Sequence, residues 1–174
     1  GSRSMQWHAW SEADLLSRLD HPAILKIHRF GDDDGRPCIV MEFVNGPSLE
    51  QHILKQERIF QEDAVRMVRR IAEGIAYAHA AGVFHGDLRP RNILLRDGDP
   101  LRPLICDFGL NAVGSKASDV AAIAEILQFA ARDHPLVARL RISSIELVLS
   151  EIDRFLAGDP MSRIVKRRRG CLGF

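Results

Sequence analysis

Residues able to do chemistry gather in one stretch of this chain. It reads His85-Gly86-Asp87-Leu88-Arg89-Pro90-Arg91-Asn92-Ile93-Leu94-Leu95, and Asp107-Phe108-Gly109 comes about a dozen residues later. A carboxylate can take a proton, and carboxylate and amide oxygens are the hard ligands that magnesium prefers. Phosphoryl transfer needs both: an acceptor for the attacking hydroxyl's proton and oxygen ligands that hold magnesium on the phosphates. Taken singly, a loop aspartate usually forms a turn or caps a helix.

Together the two segments resemble the catalytic loop and magnesium motif of protein kinases. The resemblance implies that Asp87 is the catalytic base and that Asn92 and Asp107 are metal ligands. Arg89 stands beside the base where the family has lysine, keeping the charge and changing its geometry. The likeness covers about residues 11 to 125 and continues more weakly to the end. Glu12, nine positions before His21-Pro22, matches the helix-C glutamate that pairs with a lysine in kinases. Leu16, Ile27, His85 and Phe108 fall on the four positions of the apolar stack that couples kinase lobes. Met41 takes the gatekeeper place, and Glu42-Phe43-Val44 the hinge whose backbone receives adenine. With Leu94, the residues Met41, Glu42 and Val44 would border a nucleotide. Ser118-Asp119-Val120 resembles the start of kinase helix F, whose aspartate braces the catalytic loop. Plainer uses exist: Glu12 suits a helix's first turn, Leu16 and Ile27 would be core in any fold, and Met41 can serve as hairpin packing.

The elements that must position these residues can be read from pattern. Ser11 with Asp14, and Trp10 before the cap facing Leu15, predict a helix running to about Leu19, ended by His21-Pro22. Ile24–Ile27 reads as a strand, the stretch Gly31 to Gly35 as a turn, and Cys38–Val44 as the returning strand of a hairpin. Ser48 can cap a short helix. From Glu62 to Ala80 the apolar residues Ala64, Val65, Val68, Ile71, Ala72, Ile75 and Ala76 recur at helical spacing, with Gly82 as the terminating glycine. Two further helices are expected at about Asp119 to Ala131 and Ile145 to Leu156, the latter opened by Ser143-x-x-Glu146. The fold class expected is α+β: a mainly helical kinase-like C-lobe with a remnant N-lobe of one helix and a two-stranded antiparallel hairpin. Its core should include Leu16, Ile27, Val40, Val68, Ile71, Ile75, Leu94, Ile105, Phe108 and Ile123.

Against the kinase pattern two regions fall short. Too little chain precedes Glu12 here for the glycine-rich loop and phosphate-binding lysine, contacts whose individual loss commonly costs about 10²–10³ in rate. Asp119 comes only ten positions after Gly109, so the activation segment, the substrate-binding loop and the APE motif have no room. The arginine that would read a phosphorylated segment is Gly86. Two functions are consistent with this pattern. The favoured expectation is a degenerate kinase-like domain that works by binding a protein partner, a second copy or a separate upper lobe through its hairpin edge. The other is a minimal phosphotransferase with Asp87 as base on a protein or small-molecule acceptor, since His85-Gly86-Asp87 also resembles the loop of aminoglycoside and choline kinases, whose acceptors are small. Magnesium and ATP binding, under either, is expected to be weak or absent.

Composition agrees with one globular domain over 5–160, a vector-derived remnant at 1–4 and a basic tail at 161–174. A net charge of +1 over 174 residues gives no field for nucleic acid. Three cysteines, Cys38, Cys106 and Cys171, have no disulfide or zinc spacing, which suits the cytoplasm. Behind Lys166 to Arg169, the ending Cys171-Leu172-Gly173-Phe174 loosely resembles a prenylation box, so membrane contact is expected only if Cys171 is lipidated.

Overall fold

The structure, a computed structural model, describes residues 16–34, 36–55, 59–108, 114–132, 134–140 and 144–158. Glu12 and the Ser11 cap, Gly109, Ser143, the basic run at 166–169 and Cys171 lie outside these residues.

An antiparallel hairpin opens the described fold: β1 (Ile27–Asp33) pairs with β2 (Arg36–Met41). The strand expected at Ile24–Ile27 therefore starts three residues later and runs through Gly31, which pairs with Cys38. Asp34 follows β1 at φ of 51°, in keeping with an Asp-Gly sequence that favours positive φ. Ile24 instead makes a parallel bridge to Ile105, with Leu25 N–H donating to Ile105 O at 2.9 Å and Ile105 N–H donating to Ala23 O at 2.8 Å. That bridge joins the hairpin region to a second antiparallel pair, β3 (Ile93–Leu95) with β4 (Pro103–Ile105).

Helices supply the rest. Ser48 caps α1 (Leu49–Leu54) in a reciprocal box with Gln51. α2 (Gln61–Ala80) buries Ala64, Val65, Val68, Ile71, Ala72 and Ile75 along one stripe, and Gly82 comes after it at φ of 78°. Each fully buried aliphatic side chain in that stripe removes enough apolar surface from water to favour folding by roughly 1.5–3 kcal/mol. α3 (Lys116–Ala130) and α4 (Ile145–Leu156) pack against α2, and Arg69 of α2 pairs with Asp153 of α4 at 2.7 Å. α3 begins three residues before the expected Asp119, because Ser115 and Ser118 form a capping box. At α4 the cap residue is Ser144, whose hydroxyl bonds the Glu146 carboxylate and not the backbone.

The expected core is buried at Leu16, Val68, Ile71, Ile75, Ile105, Phe108 and Ile123. Ile27, Val40 and Leu94 are half-buried, since the hairpin face and the β3 face are each covered on one side only among the described residues. No helix among the described residues is long and apolar enough to cross a membrane.

The connection leaving β2 is pinned to the second sheet. Asp97 N–H donates to Asn45 O at 2.6 Å and Leu95 N–H donates to Pro47 O at 2.9 Å. Between them Gly46 passes so close that a Cβ there would lie 1.9 Å from the Leu95 carbonyl oxygen. Gly46→Ala should therefore destabilise the fold by about 1–3 kcal/mol, read as a lowered urea midpoint at unchanged slope; an unchanged midpoint would mean that the linker is not pinned.

Candidate active site

The site is organised by a buried carboxylate. Asp119, in the first turn of α3 and 1% exposed, accepts hydrogen bonds from the backbone N–H of His85 at 2.8 Å and of Gly86 at 2.9 Å. Its Oδ2 also lies 2.8 Å from Nε2 of His79, near the end of α2. Desolvation raises the Asp119 pKa, yet the His79 bond and the two amides outweigh it and hold the carboxyl below its ordinary value. Three elements are thus tied to one anion, and the loop from His85 onward is hung from it. His79 escapes a reading of the sequence; its one signal is a place on the α2 stripe, four residues after Ile75.

His85 fixes the course of the loop beyond it. Its Nε2 bonds the Cys106 carbonyl at 2.9 Å, its Nδ1 accepts the Asp87 N–H at 3.2 Å, and its ring lies 4.8 Å from that of Phe108. Burial lowers the His85 pKa, partly opposed by the Cys106 carbonyl and by nearby Asp119, Asp87 and Asp107. A short 3-10 turn at Pro90–Asn92 then brings Asn92 back to the loop, where its Nδ2 donates to Asp87 O at 2.9 Å and lies 3.4 Å from Asp87 Oδ2. Cys106 N–H donates to Asn92 O at 3.0 Å, so Asp107 continues directly from the backbone paired with Asn92. Asp107 is exposed and has φ of 62°, a left-handed conformation set between that bond and the buried Phe108 ring.

Asp87 carries two ion pairs. Arg89 Nε approaches Oδ1 at 3.1 Å, and Arg91 Nη2 donates to Oδ2 at 3.1 Å. Desolvation raises the Asp87 pKa, and the Arg91 bond and the Arg89 charge overcome it, leaving the carboxyl below its ordinary value and ionised at neutral pH. Arg91 is a further residue that the motif alone does not single out; its signal is the four-residue spacing from Asp87.

Gly86 has φ of 77°, and the backbone of Gly114 presses on it: a Cβ on Gly114 would lie 2.8 Å from Gly86 Cα. Glycine at 86 thus answers a left-handed backbone, and glycine at 114 answers the close crossing of the two backbones. Six residue steps separate Phe108 from Gly114, a reach of roughly 20 Å even when extended.

The residues expected to border a nucleotide divide into two groups. Met41 lines an apolar pocket with Leu16, Ile27, Asp107 and Phe108. Val44 and Leu94 pack instead on Leu25, Leu104 and Cys106. Glu42 N–H donates to Lys26 O at 2.8 Å and its carboxylate pairs with Arg96. The donor set fits magnesium: the Asn92 amide is oriented by its Nδ2 bonds, leaving its oxygen as the ligand end, and the Asp107 carboxylate is exposed nearby. Among the described residues no group of three or more His, Cys, Asp or Glu could hold a metal, so phosphate oxygens would have to complete the shell.

Comparison with known proteins bears directly on this arrangement. Residues 2–133 match the family described as protein kinase domain. Serine/threonine-protein kinase RAD53 of Saccharomyces cerevisiae is 32% identical over 134 residues, which is 77% of this chain and 16% of that protein. Serine/threonine-protein kinase PknJ of Mycobacterium tuberculosis is 39% identical over 101 residues, 57% of this chain and 17% of that protein. Among solved structures, Rad53 1-466 in complex with AMP-PNP superposes with a TM-score of 0.58 and 26% identity, covering 88% of this chain and 51% of that one. The chain thus spans less than a fifth of the two kinases' full length.

Removing the buried anion should be costly. Asp119→Ala leaves two loop amides and His79 unanswered and should destabilise by about 3–5 kcal/mol. Amide hydrogen exchange at His85 and Gly86 should accelerate with it; unchanged protection there would show that the loop hangs from something else.

The histidines set a pH dependence. Burial lowers the folded pKa of His85 and of His134 below 6.5, so the unfolded chain takes up protons more readily. Their contribution is complete above about pH 6.5 and is lost as pH falls through the folded values. Unfolding free energy from urea titrations should therefore drop between pH 7 and 5; a flat or rising profile would contradict the burial assigned to them.

Proposed function

We propose that this chain, which belongs to the protein kinase family, carries out ATP- and magnesium-dependent phosphoryl transfer to an acceptor other than a docked peptide, with Asp87 as the base. One observation carries this reading: Asp119 and His79 hold the loop so that an ionised Asp87 and an oriented Asn92 meet, with Asp107 following the Cys106 amide that bonds the Asn92 carbonyl. Such a buried, fully bonded arrangement supplies the preorganisation on which phosphoryl transfer depends. Magnesium bound by Asn92 and Asp107 would neutralise charge on the phosphates. Asp87 would accept the proton of the attacking hydroxyl, while Asn92 fixes the loop carbonyl behind it. That the similar Rad53 structure is a complex with AMP-PNP supports nucleotide binding by this chain. The apolar pocket behind Met41, with Val44 and Leu94 on the other side, offers surfaces for a base, and binding should be weak where no covering strands add to them. A peptide platform has little room in the ten positions from Gly109 to Asp119.

A second reading, a degenerate kinase-like domain that acts mainly by binding a protein or a second copy, is favoured by the hairpin. Phe43 is 86% exposed, Ile39 and Met41 are exposed beside it, and a two-stranded sheet offers pairing edges. That reading depends on the hairpin edge staying uncovered by chain near Glu12, a region outside the described residues. The assembled loop weighs the other way.

Thermal unfolding with ATP and magnesium separates them. Nucleotide should raise the midpoint, and Asp107→Asn should remove the rise. With labelled ATP, Asp87→Asn should lower transfer by about 10²–10⁴ while leaving the thermal response. A flat response in the parent protein, or transfer that survives Asp87→Asn, would overturn the phosphotransferase reading.

A further inference from the structure

Away from the catalytic loop, the ends of three helices enclose a cavity of about 270 Å³. Its lining comes from the C-terminal end of α2 and the N-terminal ends of α3 and α4, and includes no residue of 85–95 or 105–108. That volume is several times the roughly 30 Å³ share of one water and lies just below the roughly 300 Å³ at which ordinary small-molecule sites begin. Ala76, Ala80, Val120 and Ile145 supply the apolar part of the lining, and His79, Lys116, Ser144 and Glu146 the polar part.

The polar groups are unevenly satisfied. Ser144 donates its hydroxyl proton to one Glu146 carboxylate oxygen, which leaves the hydroxyl oxygen and the second carboxylate oxygen as acceptors. That bond, then the Glu146 backbone amide and the Lys116 charge, holds the Glu146 carboxyl below its ordinary value, so the group is an anion at neutral pH. Lys116 is exposed, and among the described residues it forms no ion pair. His79 is 6% exposed and engages Asp119 through Nε2, while its buried Nδ1 has no hydrogen-bond partner among the described residues. With a carboxylate accepting at Nε2 the imidazole proton sits there, so Nδ1 presents a lone pair that nothing in the protein answers. Three acceptors and one unpaired cation thus share the lining. A primary ammonium carries three N–H donors, and a carboxylate is the natural partner of a lysine.

We propose that this cavity binds a free α-amino acid with an aliphatic side chain, its ammonium meeting Glu146, Ser144 and His79, its carboxylate meeting Lys116, and its side chain covering the alanines, Val120 and Ile145. The site is independent of the phosphotransferase reading. It is joined to the catalytic loop through one imidazole: an N–H donated to Nδ1 fixes the proton on Nε2, the tautomer that donates to Asp119, and the amides of His85 and Gly86 hang from Asp119. Because Lys116 and Glu146 face solvent, their attraction is screened. A Kd of roughly 0.1–10 mM suits a ligand of about nine heavy atoms under those terms.

Two measurements on the whole chain test it. Ligand-observed NMR compares leucine with glycine, isoamylamine and isocaproate, which lack the side chain, the carboxylate and the ammonium in turn. Leucine should bind at least tenfold more tightly than each. Lys116→Gln should weaken leucine about threefold to tenfold and leave isoamylamine unchanged, whereas Glu146→Gln should weaken both. Ala80→Leu, at an exposed position on α2, should fill the cavity and abolish binding at an unchanged urea midpoint. In imidazole nitrogen spectra, leucine should move the His79 Nδ1 resonance and leave that of His134, whose Nδ1 already accepts the Leu136 N–H, in place. Isoamylamine or isocaproate binding as tightly as leucine overturns the amino-acid assignment. Leucine binding that survives Ala80→Leu, or that leaves His79 Nδ1 unmoved, places the ligand elsewhere and overturns the site. Absence of leucine binding at tens of millimolar overturns the proposal outright and leaves the cavity to water; none of these results bears on phosphoryl transfer.

Discussion

A single buried negative charge holds this lobe together. Placing a carboxylate at 1% exposure is unfavourable unless its lone pairs are answered, and Asp119 is answered by two amides of one loop and an imidazole from another helix. The demand runs both ways, because the amides of His85 and Gly86 would otherwise be without partners where helix and sheet hydrogen bonds do not reach. The loop's shape is thus a by-product of satisfying α3. Everything downstream inherits it: the His85 ring, the Cys106 carbonyl it meets, the Phe108 ring beside it and the Asn92 backbone opposite Cys106.

The same logic explains why the polar residues of the loop keep distinct characters. Burial keeps His85 a neutral spacer, whereas Asp87, only partly covered and flanked by guanidiniums, stays charged. Asn92 is buried yet uncharged, so its oxygen can face a cation without the desolvation that a third carboxylate would incur. Different environments a few ångströms apart divide the labour among groups that a sequence writes side by side.

Much of this is legible in the sequence where local chemistry and tertiary demand agree. α2 is announced by its apolar period, α1 by Ser48 and Gln51, α4 by its amphipathic run, and the Asp87, Asn92 and Asp107 segments by their order. The features that stay hidden depend on partners distant in the chain. The hairpin turn reads too early because Gly31 and the aspartates after it look like a loop, while among the described residues there only Asp34 has left-handed backbone; the register is set by pairing with residues 36–41. Half-burial of Ile27, Val40 and Leu94 reflects what covers them, which their own hydrophobicity does not encode. Arg91 looks like a solvated charge, and only its four-residue spacing from Asp87 hints that the loop curls it back. Gly86 reads as the loss of an arginine without a partner, and the structure adds a positive requirement for glycine there.

Cys106 carries a consequence of its own. Its thiol donates to the Asn92 carbonyl at 3.4 Å, and burial with the Asp107 charge beyond it pushes the pKa up to about 12, so in the closed fold it has almost no thiolate to offer an electrophile. Cys38, on the hairpin, is only half-buried. The protein therefore contains a natural clock: alkylation at 106 can proceed only in the instants when β4 parts from the turn before β3, and its rate counts those openings one molecule at a time.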